Sequence, residues 1–265
     1  MKSPASAAAD VTLVERIVRH ERIVLLATIL VVTLACWSWI VPMARDMYGA
    51  MTGSSAWLMT SDWDAPHLLL LGSMWIVMMA GMMLPSAAPT LLLYAASTRR
   101  RIGDRRAGWH VYAMAAGYLL VWAGFSAVAT LLQRLLTALL LLTPMMEPAS
   151  AVLSGALLIG AGVYQWTPLK RACLASCSSP IAFLMHRWRP GAMAAFRLGV
   201  AHGLACVGCC WALMLLLFAG GVMSLAVIGA LTAIVLVEKL SPIGAGSVRF
   251  TGAMLIAGGV WVISS

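Results

Sequence analysis

Seven runs of apolar residues, most of them about as long as a bilayer's hydrocarbon core is thick, decide what this chain can fold into. They fall at about residues 23–41, 67–95, 109–130, 150–167, 192–218, 221–238 and 248–263. A helix needs roughly 20 apolar residues to cross hydrocarbon about 30 Å thick. Only helices and closed barrels satisfy every backbone N–H and C=O there, and runs this long predict helices. Composition agrees: 62% of the 265 residues are hydrophobic and 10% charged, where a soluble domain would carry about a quarter. The expected fold is an all-α polytopic membrane bundle of about seven transmembrane helices. Residues 1–22 form a cytoplasmic N-terminal arm, and 23–265 a single transmembrane domain. The last two runs lie near the lower limit for crossing. The second is long enough to tilt, or to break at Pro85 or Pro89.

The formal charge of +9 invites a nucleic-acid reading until the cations are placed. Lys2, Arg16, Arg19 and Arg22 precede the first run, and "RRRIGDRR" (99–106) separates the second from the third. Lys170, Arg171, Arg187, Arg189 and Arg197 lie beside the fourth and fifth runs, and Lys239 and Arg249 flank the last two. Only Arg45 and Arg134 fall on the opposite side. This bias follows the rule that cytoplasmic loops hold the Lys and Arg, so the N-terminus is expected in the cytoplasm of a bacterial inner membrane. The basic balance reports topology, and no nucleic-acid partner is expected.

Within the fifth run stands "HGLACVGCCW" (202–211), one histidine and three cysteines in ten residues. At about 100° per residue, His202, Cys206, Cys209 and Cys210 share one helical face. Gly199 and Gly203 beside them let a neighbouring helix come close. A lone cysteine in a membrane helix is packing, but three with a membrane-depth histidine point to a site. The adjacent thiols Cys209 and Cys210 cannot both aim well at one centre, so two of the three cysteines are the primary ligands.

The second run supplies thioethers. Met74, Met78 and Met82 form a stripe that Met79 and Met83 widen, at the depth where the fifth run presents its thiols. "CLASC" sets Cys173 and Cys177 four apart in the 168–190 loop, facing together if that loop is helical. Glu238 and Lys239 end the sixth run, either as an interfacial ion pair or with Glu238 reaching inward as a counter-charge. The outer loop 43–67 holds Asp46, Asp62, Asp64, four methionines and His67. Residues 131–148 read as an outer interfacial stretch carrying Arg134. Five of the six cysteines lie on membrane-embedded or cytoplasm-facing segments, where thiols stay reduced.

Soft sulfur with one imidazole selects Cu(I), with Zn(II) as the alternative where only thiolates and histidine contribute. Thioethers are poor zinc ligands, so the methionines favour copper. No phosphate loop, dinucleotide fingerprint, nucleophile elbow or HExxH motif is present.

"MMAGMMLPSAAP" (78–89), "YQWTPLKRACLASC" (164–177), "HGLACVGCCWALMLLLFAGGVMSL" (202–225) and "VEKL" (237–240) together resemble a bacterial family described as predicted metal-binding integral membrane proteins. The resemblance spans roughly residues 65–245. It implies a polytopic helical inner-membrane protein in which Cys173, Cys177, Cys206, Cys209, Cys210 and Glu238 occupy motif positions. The copper reading itself rests on ligand chemistry.

The expected function is binding and transfer of Cu(I) in the bilayer. Outer Met, Asp and His side chains gather the ion, the methionine stripe relays it, and the His/Cys helix receives it. A periplasmic metal-binding protein is the expected partner. The rivals are a membrane thiol–disulfide relay and a non-catalytic assembly subunit whose cysteines only pack.

Overall fold

A computed structural model describes residues 4–49, 64–102, 104–143, 145–241 and 244–265, with side chains described from Arg22 onward outside 100–107 and 242–245. Asp62 of the outer loop, most of the "RRRIGDRR" cluster and the cations of the N-terminal arm before Arg22 therefore lie outside the described side chains.

The described residues are helical almost throughout. They form α1 (Pro4–Met47), α2 (Ala65–Ile102), α3 (Asp104–Ala138), α4 (Ala151–Gln165), α5 (Pro168–Ser178), α6 (Pro180–Arg187), α7 (Ala192–Leu215), α8 (Leu217–Gly220), α9 (Leu225–Leu240) and α10 (Gly244–Ser264). The only β pairing among them is an isolated bridge between Leu142 and Pro148.

Among the described residues five helices are long and apolar enough to cross a membrane: Arg22–Met47, Ala65–Arg99, Gly108–Ala138, Ala192–Gly220 and Gly246–Ser264. A sixth is reached if α4 and α5, bent by 67° at their break, count as one span. The sixth expected run, 221–238, corresponds to α9, whose 16 residues rise only about 24 Å, and the seventh is α10. This is a multi-pass helical membrane protein.

Local chemistry explains where the helices stop. Ser150 caps α4 by accepting from Leu153 N, and Thr167 caps α5 by accepting from Lys170 N, with Pro168 at the first helical position. Prolines 85 and 89 do not break α2, which runs through both. The 168–190 loop is two helices, α5 and α6, because each Ser/Thr-Pro pair starts a fresh one. The stretch 131–148 is not a separate element: α3 continues to Ala138, and a turn with Leu140 and Met146 at positive φ follows.

Two helix pairs pack backbone to backbone. A Cβ on Gly199 of α7 would lie 1.9 Å from Met114 O of α3, and one on Gly117 of α3 would lie 2.2 Å from Phe196 O of α7. Glycine is what lets these helices touch, and the Gly199/Gly203 face is the one that does so. Helices α4 and α10 meet in the same way through Gly155, Gly162, Gly252 and Gly259. Helix α2 packs against α1, α3 and α9, and α5 packs against α7.

The connections gather at opposite ends. At one, the Tyr48 hydroxyl donates to Glu147 (3.1 Å) and Val222 N donates to Met146 O (3.2 Å). Burial, and then Glu147, hold the Tyr48 phenol above its ordinary pKa. At the other end, Trp166 Nε1 donates to Arg249 O (3.3 Å).

Candidate metal centre

Helix α7 places His202, Cys206, Cys209 and Cys210 on one face, and all four are buried. Cys206 is the hub. Its Sγ lies 2.7 Å from Lys239 Nζ of α9 and 3.1 Å from the Tyr118 hydroxyl of α3. Lys239 also donates to Ser86 Oγ of α2 (3.1 Å), and Ser86 donates to Met83 O (2.8 Å). Tyr118 donates to the same Met83 carbonyl (3.0 Å). The contacts close into a ring, Cys206–Lys239–Ser86–Met83–Tyr118, that ties four helices together at one depth.

A second group of thiols adjoins the ring. Cys209 Sγ donates to Cys206 O (3.1 Å) and lies 3.2 Å from Cys210 Sγ and 4.0 Å from Cys177 Sγ of α5. Cys173, one turn before Cys177, sits over Gly208, where a Cβ would come within 2.7 Å of its sulfur. The absent side chain of Gly208 makes room for that thiol, and the Tyr164 hydroxyl donates to Gly208 O. Helix α5 thus brings "CLASC" onto the α7 thiols. All six cysteines are free.

His202 stacks between Tyr118 and Phe183, with ring centroids 5.6 and 5.3 Å apart, and its buried Nδ1 has no hydrogen-bond partner. Met74, Met78, Met79, Met82 and Met83 are all buried in the core. Their helix reaches the thiol region through the Met83 turn. His67 lies at the other end of α2, where its N–H donates to Asp64 Oδ1 (2.9 Å). Sixteen residues before Met83, it is about 24 Å away along the helix.

Glu238 does not face Lys239. Its carboxylate accepts from Lys170 Nζ (2.7 Å) and Gln165 Nε2 (2.8 Å), so it binds α5 and α4 to α9. Adjacent helical residues point about 100° apart, and that divergence sends Glu238 to Lys170 and Lys239 to the thiols. Lys239, Tyr118, Ser86 and Lys170 were not among the site residues expected from the sequence. A lysine ending an apolar run reads as an interfacial anchor, and a tyrosine in the middle of one reads as packing.

Among the described residues no three His, Cys, Asp or Glu side chains stand ready to enclose a metal ion. The thiols are close, but their nearest partners are protein groups: an amine, a hydroxyl, a carbonyl and each other. A metal–sulfur bond of about 2.3 Å puts two sulfurs flanking one ion up to about 4.6 Å apart, nearer if bent. The 4.0 Å between Cys177 and Cys209 falls in that range.

Fold and site together define a multi-pass helical membrane protein with a buried sulfur-rich centre. Residues 72–262 match the family model PpoB2, described as a copper chaperone, and the chain belongs to this family. No curated protein and no solved structure matches the chain.

Proposed function

We propose that this protein crosses a bacterial inner membrane seven times with its N-terminus in the cytoplasm, takes up Cu(I) as cargo and hands it on through its buried sulfur centre. One observation carries the reading: four thiols, Cys177, Cys206, Cys209 and Cys210, are buried, and Tyr118 links Cys206 to Met83 of the thioether helix. Soft donors of both kinds suit Cu(I), whereas zinc would leave the methionines without a role.

The ion enters at the end formed by Tyr48, Glu147 and Gly221, where a periplasmic metal-binding partner delivers or receives it. It passes along the α2 methionines by weak, exchangeable contacts, since several weak sites permit movement and one tight site would only store the metal. Arrival at Cys206 displaces the Lys239 amine and the Tyr118 hydroxyl. Cys177 and Cys209, on separate helices, then supply two sulfurs. His202 is the nearest nitrogen donor on the same face, with Cys210 as substitute and Cys173 toward the exit. Glu238 holds α5 in register through Lys170 and does not ligate.

The reading is tested by titrating Cu(I) against a competing chelator into the wild type, Cys206→Ser and Cys36→Ser. Cys206→Ser should lose more than the roughly 10–100-fold typical of an outer-shell partner. Cys36→Ser, on α1, should match the wild type, and equal affinities for all three would overturn the reading. The Cys177–Cys209 approach also suits a thiol–disulfide relay. A metal-free two-electron redox step that Cys177→Ser abolishes would favour that second reading.

A further inference from the structure

Two clefts lie along the same pair of helices, and neither has a part in handling copper. The first, about 360 Å³, is lined by Gln165, Trp166, Arg171, Val248 and Arg249, where the ends of α4, α5 and α10 meet. Arg171 and Arg249 are exposed, and neither guanidinium pairs with a carboxylate among the described residues. Gln165 is buried, and its Nε2 is committed to Glu238 while its Oε1 has no hydrogen-bond partner. The second cleft, about 350 Å³, is apolar. It is lined by Leu158 of α4 and Leu255 of α10, with Val227, Ala230, Leu231 and Ile234 of α9 among its other walls.

Leu158 and Gln165 are seven residues apart on α4, and Val248 and Leu255 are seven apart on α10. Seven residues is nearly two full turns, so each pair shares a face about 10 Å apart along the axis. Helix α9 walls the apolar groove, and its Glu238 reaches Gln165 one turn beyond Ile234. The polar cleft and the apolar groove thus follow one another along the α4–α10 seam, as a furrow beside these two helices.

We infer that this furrow binds one anionic glycerophospholipid of the phosphatidylglycerol type. Its phosphodiester lies between Arg171 and Arg249, and one acyl chain lies in the groove. Arginine forks match phosphate oxygens in pairs, and basic pockets between membrane helices are where lipid headgroups are held. A glycerol headgroup brings the hydroxyl donor that Gln165 Oε1 needs, which phosphatidylcholine lacks. Trp166, with its indole N–H on the Arg249 carbonyl, forms the wall at headgroup level.

The test uses the full chain, purified in detergent and stripped of lipid. Phosphatidylglycerol, phosphatidylcholine or inorganic phosphate is added, and retained mass and unfolding temperature are recorded. The wild type should retain phosphatidylglycerol selectively and unfold at a higher temperature with it. The double variant Arg171→Gln/Arg249→Gln should lose retention roughly tenfold or more. Ala230→Phe, which fills the groove and leaves the charges alone, should weaken retention as well. Equal retention of phosphatidylcholine, or unchanged retention in both variants, would overturn the inference. So would inorganic phosphate raising the unfolding temperature as much as the lipid, which would mark a free-anion site. Lipid mass is read without copper, so the result stands apart from the copper reading.

Discussion

Lys239 Nζ lies 2.7 Å from Cys206 Sγ, in a part of the bundle where both residues are buried. A cationic side chain at such depth needs partners, and this one has the sulfur and Ser86 Oγ. The protein's own cation stands where a cationic cargo would have to arrive. On the proposed reading an incoming ion would exchange with the amine, so uptake would be offset by the loss of an existing contact, and the centre could also release its cargo.

The first prediction follows. Lys239→Met removes the competing donor and keeps the volume. A hydrogen bond to a charged group contributes about 1.5–3 kcal/mol, so Cu(I) affinity should rise about tenfold or more. Transfer of bound metal to an acceptor chelator should slow in step. Lys239→Arg should keep the exchange. Competition titrations with stopped-flow release measure both, and weaker binding in Lys239→Met would remove the displacement mechanism.

Much of this arrangement was legible in the sequence because the constraints were local. The 3.6-residue period puts His202, Cys206, Cys209 and Cys210 on one face with no knowledge of the rest of the fold, and Gly199 marks a close approach by its size alone. What the sequence did not give was pairing across helices. Glu238 and Lys239 are neighbours that diverge, and only the positions of α5 and α7 decide that one meets Lys170 and the other Cys206. Of the two alternatives for the second run, tilt or a break at Pro85 or Pro89, the break is absent: neighbouring helices enclose that segment, and tertiary packing outweighs the missing N–H groups. Residues 131–148 read from the sequence as an outer interfacial stretch carrying Arg134, but their first eight residues continue α3. Helix α3 simply carries Arg134 to its end.

The Lys170–Glu238 pair should behave as a buried clamp. Both side chains are shut off from water, so removing one leaves the other as an unpaired charge in the interior. Lys170→Met should destabilise by about 3–5 kcal/mol, and Glu238→Gln by less, since its amide can still bond Gln165. The double variant should recover most of the loss. Denaturant or thermal unfolding of the four proteins in one detergent closes the cycle. Additive losses would mean that the two residues do not act as a pair.

The glycine contact between α3 and α7 gives a steric prediction. Gly199→Ala places a Cβ 1.9 Å from a backbone carbonyl, which cannot swing aside as a side chain can. The helices must part, at a cost of about 3 kcal/mol or more. Gly160→Ala, on α4 with nothing within 4 Å of the new Cβ, should be neutral or stabilising by up to about 1 kcal/mol. Unfolding temperatures of the two variants should move in opposite directions or differ widely. Matching shifts would mean that the close approach is not what holds this pair.

The methionines of α2 separate a conduit from a packing layer. Met78 and Met82 are one turn apart on the stripe and buried. Leucine has nearly the same volume, so Met78→Leu with Met82→Leu should cost less than about 1.5 kcal/mol each and leave the bundle folded. Leucine has no sulfur, so an ion relayed by thioethers loses two consecutive steps. The rate of Cu(I) loading at the thiols should therefore fall sharply, while affinity measured at equilibrium stays near the wild type, because the final ligands are untouched. A separation of rate from affinity is the outcome a packing role cannot give. Loading that keeps its wild-type rate in a well-folded double variant would return these methionines to the core and leave the thiols to be reached by another route.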